Sequence, residues 1–380
     1  MKRPWSLFLA AAITIGVVAA AGVIVKNKQI SSISGSGTQP LPIRSYGNEL
    51  NVRAERERTA DFIGKRLTGP YGIYTNYSET GQSAEAATGH EVLSESASLM
   101  MRYAAITKKQ SLFDRQWELA RQTFDMKSGF SYRYSPTLPK KYAVNAAVDD
   151  LRLIRALYEA GGAFADDRYT KEAIRYGSRF YSYNVKNGRV YDFYDETSRT
   201  VNDFITLCYI DLKTLGVLPV TDKQRQSLLD AMLGIAQNGY LGDRFPLYET
   251  RYRYVAGRYE SETIQTVESL LTILHLAEVE QARPESIRYI KEQVKEGKLF
   301  GQYTKSGVPA SSVQSTAIYA LAAMLGSEIG DKELYADSIK RMGAFQITAP
   351  DHELFGGFGN AETYQAYSFD NLMALLAYSY

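Results

Sequence analysis

Six strongly apolar stretches recur along this chain at an interval of roughly 55 residues, at 93–106, 147–160, 203–215, 264–279, 313–325 and 369–378. Each is rich in Ala, Leu and Ile and poor in charge, as in VESLLTILHLA and SVQSTAIYALAAML. Such stretches predict helices buried on nearly every side. Between them lie more polar, amphipathic segments at residues 49–66, 110–124, 169–183, 222–237, 284–296 and 332–345, which predict helices with one buried face. No clear strand alternation is visible. Six alternating pairs predict an all-α fold, an (α/α)6 barrel in which an inner ring of helices closes inside an outer ring. An open solenoid would use the same pairs without closing.

The connections are unequal. Those from an inner to an outer helix are short, as at residues 161–168 and 326–331, whereas those from an outer to an inner helix are long. The long ones gather where the inner helices begin, and long loops on a rigid scaffold are where binding sites usually sit. They carry many of the chain's 29 tyrosines, Tyr71, Tyr132, Tyr191 and Tyr252 among them. Flat aromatic faces stack on sugar rings, so the loops suit an extended carbohydrate; loops packing on themselves are the plainer explanation.

Several chemistries fall away. With 44 basic and 42 acidic residues there is no broad positive field, and no basic run interleaved with aromatics, so nucleic acid is not an expected partner. Cys208 is the one cysteine, which excludes an intrachain disulfide and a thiolate metal cluster. His90, His275 and His352 match no metal-ligand spacing, and neither a phosphate loop nor a G-x-S-x-G elbow is present. No metal and no organic cofactor is expected.

Lys2 and Arg3 precede an uncharged stretch at residues 5–25, which at about 1.5 Å per helical residue reaches across a hydrocarbon core of about 30 Å. Apolar chain continues past the small residues near Ala21, so an uncleaved single-pass anchor is favoured over a cleaved signal, with the bulk of the protein outside the cytoplasm. If the segment is cleaved, the product is secreted. The expected organisation is thus an anchor or signal segment at 1–28, a flexible linker at 29–45, and the barrel as catalytic domain at 46–380.

Parallel inner helices would bring their N-termini to the loop-rich end, so acidic residues there are the candidates for chemistry. In HEVLSESASLMMRYAA, Glu95 opens an apolar helix, and a carboxyl partly withdrawn from water has a raised pKa suited to a general acid. NAAVDDLRLIRALYEA offers Asp149 and Asp150 at a second helix start, and YESETIQTVESLL offers Glu260 and Glu262 at a fourth. Each alone reads as a cap or surface charge. Together they could face one cavity, and glycoside hydrolysis needs two such groups flanking the scissile bond.

These motifs resemble glycoside hydrolase family 8, the inverting (α/α)6 endoglucanases, chitosanases and cellulases associated with bacterial polysaccharide synthesis, over most of residues 60–275. Ser94-Glu95-Ser96 resembles the pair that carries the family's general acid. Asp150 in VDDLRLIRALYEA resembles the Asp that contacts the sugar at the cleavage site, and GFSYRYSP, with Phe130, Tyr132 and Arg133, resembles the aromatic-Arg strip between the two. The family's base lies in a Tyr-Asp motif whose nearest counterpart runs from Tyr259 to Gln265, leaving Glu262 or Glu260 as candidate base and Asp243 as a third option. The chain departs from the family in lacking Gly-Gln after Ser-Glu and the repeated Asp pattern before Asp150.

The resemblance implies an endo-acting, inverting hydrolase of β-linked polysaccharide, tethered to the membrane. Glu95 would protonate the leaving oxygen, Asp150 would hold the sugar, and Tyr132, Arg133 and Tyr259 would line the binding site. It also implies exopolysaccharide as substrate and synthase machinery as partner. Two other readings fit the same scaffold: a noncatalytic polysaccharide-binding protein, and a polysaccharide lyase or unsaturated-uronide hydrolase.

Overall fold

A computed structural model describes residues 45–81 and 86–380. The proposed anchor and nearly all of the linker lie outside the described residues. No helix among the described residues is long and apolar enough to cross a membrane.

After a short α1 (Tyr46–Glu49), six outer helices alternate with inner elements. The outer set is α2 (Arg53–Phe62, continued by a π-helical turn at Ile63–Leu67), α4 (Gln110–Phe124), α6 (Asp167–Asn184), α8 (Asp222–Asn238), α10 (Pro284–Glu296) and α12 (Lys332–Gly343). The inner set is α3 (Ser94–Ile106), α5 (Ala147–Phe164), α9 (Thr266–Ala277), α11 (Thr316–Ile329) and α13 (Ser368–Ala377), with α7 (Leu212–Leu215) in the third position. Burial follows the expected division: every residue of α11 from Thr316 to Ser327 is buried, whereas α10 buries only Ser286, Ile290 and Val294.

The inner elements touch their neighbours in an unbroken circle: α3 on α5, α5 on α7, α7 on α9, α9 on α11, α11 on α13, and α13 back on α3. The helices therefore form an all-α barrel rather than an open solenoid. Closure is reinforced where the two ends of the barrel chain meet. The Gly47 amide donates to the Tyr380 carbonyl at 2.8 Å, and a Cβ at Gly47 would stand 2.2 Å from the Tyr378 carbonyl oxygen, so only glycine fits there.

The third inner position departs from the expected helix at 203–215. Phe204–Thr206 is a strand paired with Arg251–Arg253, Leu207–Tyr209 is a 3-10 turn, and α7 is a single turn. Asp192 imposes the extended start, because its carboxylate accepts both the amide (2.5 Å) and the hydroxyl (2.6 Å) of Thr206. Asp211 then caps α7 by accepting from the Thr214 amide at 2.9 Å. The segment is as buried as its apolar composition requires, but a carboxylate held its backbone out of the helix.

All of the strands, each of two or three residues, lie in the outer-to-inner connections. They are too short to show an alternating pattern in sequence. They pin the long loops to one end of the barrel, where the five full inner helices begin without side-chain caps.

Farther down the barrel axis is a buried charge network. Arg102 pairs with Glu159, while Arg155 pairs with Glu159 (3.0 Å) and with both oxygens of Glu278 (2.9 and 2.5 Å) and approaches Asp211 (3.7 Å). Arg155 is 5% exposed, so its charge is satisfied almost wholly by these partners. Arg155, with Lys213 adding, holds Glu278 far below the usual carboxylate range despite its burial. Breaking such a pair by removing one partner costs about 3–5 kcal/mol. Arg155→Met is accordingly expected to lower the unfolding free energy by about 3–5 kcal/mol, measured by equilibrium urea unfolding of the full chain.

Candidate active site

The mount of Glu95 is built before the helix begins. Val92–Leu93 pairs antiparallel with Arg133–Ser135, and the Ser94 amide donates to the Tyr132 carbonyl at 3.2 Å. Behind that pairing Glu91 and Arg133, both essentially inaccessible, form a two-bonded ion pair at 2.9 and 2.7 Å. Ser96 bonds Ser368 at 2.9 Å and ties the start of α3 to the start of α13. Glu95, second residue of α3, is therefore carried on a rigid element, with 28% of its side chain open.

Two effects compete on its carboxyl. A helix N-terminus favours the anion, while burial and a neighbouring negative charge favour the acid. The second pair prevails: burial first, then Asp149, push Glu95 up to about 7, against the pull of Arg152. Asp149 accepts from the Ser94 hydroxyl at 3.0 Å and from Arg152 at 3.3 Å, and Arg152 reaches Glu95 at 3.6 Å. Asp149, Arg152, Ser94 and Glu95 thus form one compact group at the junction of α3 and α5.

A second acidic pair is supplied by the next two connections. Asp192, which holds Thr206, is pushed up to about 6 chiefly by burial, with Glu268 adding to the rise. Glu268, in the first turn of α9, is likewise raised by burial, and its Oε2 is buried with no hydrogen-bond partner. Arg251, its guanidinium 4.7 Å from the Phe204 ring centre, lowers both carboxyls. Tyr209 lies within electrostatic reach of Asp192, Asp149 and Glu95 together, so the 3-10 turn links the two acidic pairs. Beside it Cys208 is 5% exposed, and burial drives its thiol up, away from the reactive thiolate.

The other sequence candidates occupy different settings. Asp150 is 2% exposed, and its two oxygens accept from the Phe130 amide (3.0 Å) and the Asn145 side chain (2.7 Å). A Cβ at Gly129 would stand 2.2 Å from Asp150 Oδ2, so this carboxylate locks the turn before Phe130. Arg133 is occupied with Glu91 as described. Tyr132 is half-buried beside Tyr142, and Tyr259 donates its hydroxyl to the Ile235 carbonyl at 2.6 Å. Glu260 pairs with Arg253 and Arg258, which hold it below the ordinary carboxylate range. Glu262 is exposed, and so is Asp243, which accepts from Tyr240.

The tyrosine-rich loops divide in the same way. Tyr248 and Tyr303 are buried, whereas Tyr71 and Tyr367 are 42% and 47% exposed and can offer a face to a ligand. Sequence reasoning passed over Arg152 and Asp192, and it passed over Glu268 in TVESLL. First-turn acidity was the available signal for Glu268: with the helix start at Thr266, Glu268 stands in its first turn, as Glu95 does in α3.

Among the described residues Asp211, His275 and Glu278 form one cluster of metal-type ligands, with donor atoms within 4.8 Å of one another. The position a cation would take is filled by Arg155, which bonds both Glu278 oxygens and lies 3.7 Å from Asp211.

A barrel of paired helices with protonatable carboxyls at its loop-rich end defines a class, that of carbohydrate-active (α/α) barrels. No family model matches the chain. A solved structure described as a novel alpha-amylase from Clostridium perfringens is 32% identical, covers 86% of this chain and 97% of its own, and superposes with a TM-score of 0.79. The endoglucanase Cel10 of Klebsiella pneumoniae, a family 8 glycosyl hydrolase, is 16% identical over 76% of this chain and 97% of its own, with a TM-score of 0.56, and bears on the fold alone. YdaJ of Bacillus subtilis strain 168, named as a candidate lipoprotein, is 26% identical over 381 residues, 97% of this chain and 94% of its own. The chain belongs to the same family as the Clostridium perfringens relative, and it shares the fold of the family 8 glycosyl hydrolases.

The raised Glu95 carboxyl has a measurable cost. Between about pH 4.5 and 7 the folded protein keeps a proton that the unfolded chain has lost, so stability falls as pH rises through that window. Glu95→Gln removes this dependence. It is expected to be more stable than the wild type at pH 8 and equal to it at pH 4, measured by urea unfolding at both values.

Proposed function

We propose that this protein is an endo-acting, inverting glycoside hydrolase that cuts a β-linked polysaccharide outside the cytoplasm. The observation that carries the reading is the largely buried Glu95, its carboxyl pushed up to about 7 on a rigid helix start with 28% of the side chain open. A group with that proton affinity delivers a proton to a leaving glycosidic oxygen near neutral pH.

Glu268 is the stronger candidate for the second carboxylate. Its Oε2 accepts no hydrogen bond, whereas each oxygen of Asp192 already accepts one from Thr206, which weakens Asp192 as a base. Glu260 would have to leave two arginines first. In the step, Glu95 gives its proton to the bridging oxygen as the bond from the anomeric carbon breaks. Water attacks the opposite face of that carbon and yields its own proton to Glu268. Inversion requires the two carboxyls to stand roughly 6.5–9.5 Å apart. Exposed Tyr71 and Tyr367 would support neighbouring sugars by stacking.

A second reading concerns linkage. The 32% identical Clostridium perfringens relative is described as an alpha-amylase, which favours an α-linked glucan. The acid–water geometry serves either anomer, so the loops decide which polymer enters. Attachment to a membrane rests on the apolar stretch at residues 5–25 and on the lipoprotein designation of YdaJ. The sole cysteine, Cys208, is buried in the barrel, so the proposed attachment runs through the apolar stretch. An exopolysaccharide and its synthase remain the proposed substrate and partner.

The test is hydrolysis of a panel of β- and α-linked polymers, with product anomer followed by proton NMR. Wild type is expected to release oligosaccharides of inverted configuration. Glu95→Gln and Glu268→Gln are each expected to lower kcat by about 100-fold or more. Full activity in Glu95→Gln would remove the acid assignment. Equal polymer affinity with no new reducing ends in wild type would favour a binding protein, and a product absorbing in the ultraviolet would favour a lyase.

A further inference from the structure

The group around Glu95 contains more than an acid needs. Two carboxylates from adjacent inner helices share Arg152, whose Nη1 lies 3.3 Å from Asp149 and 3.6 Å from Glu95. Asp149 and Arg152 are 7% and 8% exposed, so solvent contributes little to either. With both carboxylates ionised the group would hold two negative charges against one positive charge. That excess favours keeping one proton in the group up to about pH 7.

Geometry decides where that proton sits. Burial raises Asp149 as well, but two donors, the Ser94 hydroxyl at 3.0 Å and the Arg152 guanidinium at 3.3 Å, pull it back toward the ionised form. Glu95 has only the longer contact to Arg152 and projects toward the open side. Other groups facing the pair are Asp150, which senses Asp149 and is itself pushed up to about 7 by burial, Tyr209 from the third inner position, which senses both carboxyls, and Cys208 and His275, which sense Arg152. Burial raises the Tyr209 phenol and the Cys208 thiol and lowers the His275 imidazole, so all three stay neutral around pH 7. From α13, Ser368 contributes only a hydroxyl, bonded to Ser96.

We propose that Asp149 is a positioning residue: it and Glu95 hold one proton between them over the shared Arg152, and its negative charge keeps that proton on Glu95. The inference rests on Glu95 being the acid and adds what maintains its proton through repeated turnovers. When Glu95 transfers its proton to the leaving oxygen, two adjacent carboxylates face one guanidinium. That repulsion draws a proton from solvent back to Glu95 through its exposed side and restores the starting state.

The test uses the full-length chain and two readouts. In the pH profile of kcat/KM, wild type is expected to lose activity on a basic limb near pH 7, set by Glu95. Asp149→Asn is expected to move that limb down by about one pH unit, a tenfold change in proton affinity, because it removes a charge and leaves Arg152 to Glu95 alone. Asp149→Glu should restore the limb, and Ser94→Ala should move it the same way by less. Carbon-13 NMR of carboxyl-labelled glutamate, with the Glu95 signal identified by its loss in Glu95→Gln, reads the same midpoint without any substrate. A Glu95 midpoint unchanged in Asp149→Asn overturns the proposal. If no polymer is hydrolysed the functional reading fails, while the NMR titration still decides whether the two residues share a proton.

Discussion

A stripe of charge on one face of α5 sets the terms for the rest of the barrel. Asp149, Arg152, Arg155 and Glu159 are spaced by three, three and four residues, so they lie on one side of the helix and point along the barrel axis. None can be left unpaired inside a protein. Their partners come from around the ring: Arg102 on α3, Asp211 at the start of α7, and Glu278 just past the end of α9. Apolar packing alone would tolerate sliding of Ala- and Leu-rich helices. The charge pairs do not, and they fix the axial register of the inner elements.

That register has a gradient with a functional consequence. Deep in the barrel, each cation meets carboxylates at short range, and Glu159, Asp211 and Glu278 are held in the ionised form. At the loop-rich end, cations are fewer and the contacts longer, so burial prevails and Glu95, Asp149, Asp192 and Glu268 are all raised. One structural theme thus yields a stabilising centre below and a proton-holding site above. The proposed polysaccharide chemistry would use the upper end, where the long loops lie and Glu95 is partly open.

Much of this was legible in the sequence, because burial on all sides and burial on one face leave different patterns along a helix. The segments at 110–124 and 284–296 coincide with α4 and α10, and the long loops lie at the end where their tyrosines suggested. Glu95 was legible for the same reason, as an acid directly before an apolar run. The broken third inner helix was not, since Asp192, fourteen residues before Thr206, holds that strand through contacts that local propensity does not contain. Asp149 and Asp150 are neighbours in sequence that point in different directions, and only the three-dimensional helix phase separates the one beside Glu95 from the one that locks Phe130. Glu268 did not stand out in the sequence, because the helix was expected from Ile264 instead of Thr266 and the Tyr259–Gln265 resemblance drew attention to Glu260 and Glu262.

The central claim is that one sugar chain crosses the loop-rich end with Glu95 on one side of its scissile bond and Glu268 on the other. A crystal structure of the Glu95→Gln protein soaked with an oligosaccharide of the polymer it hydrolyses tests this most directly. A glycosidic oxygen is expected within hydrogen-bond distance of the residue-95 amide, with a water between Glu268 and the opposite face of the anomeric carbon. An oligosaccharide bound in that cleft with its glycosidic oxygens remote from residue 95, or with no access to Glu268, would contradict it.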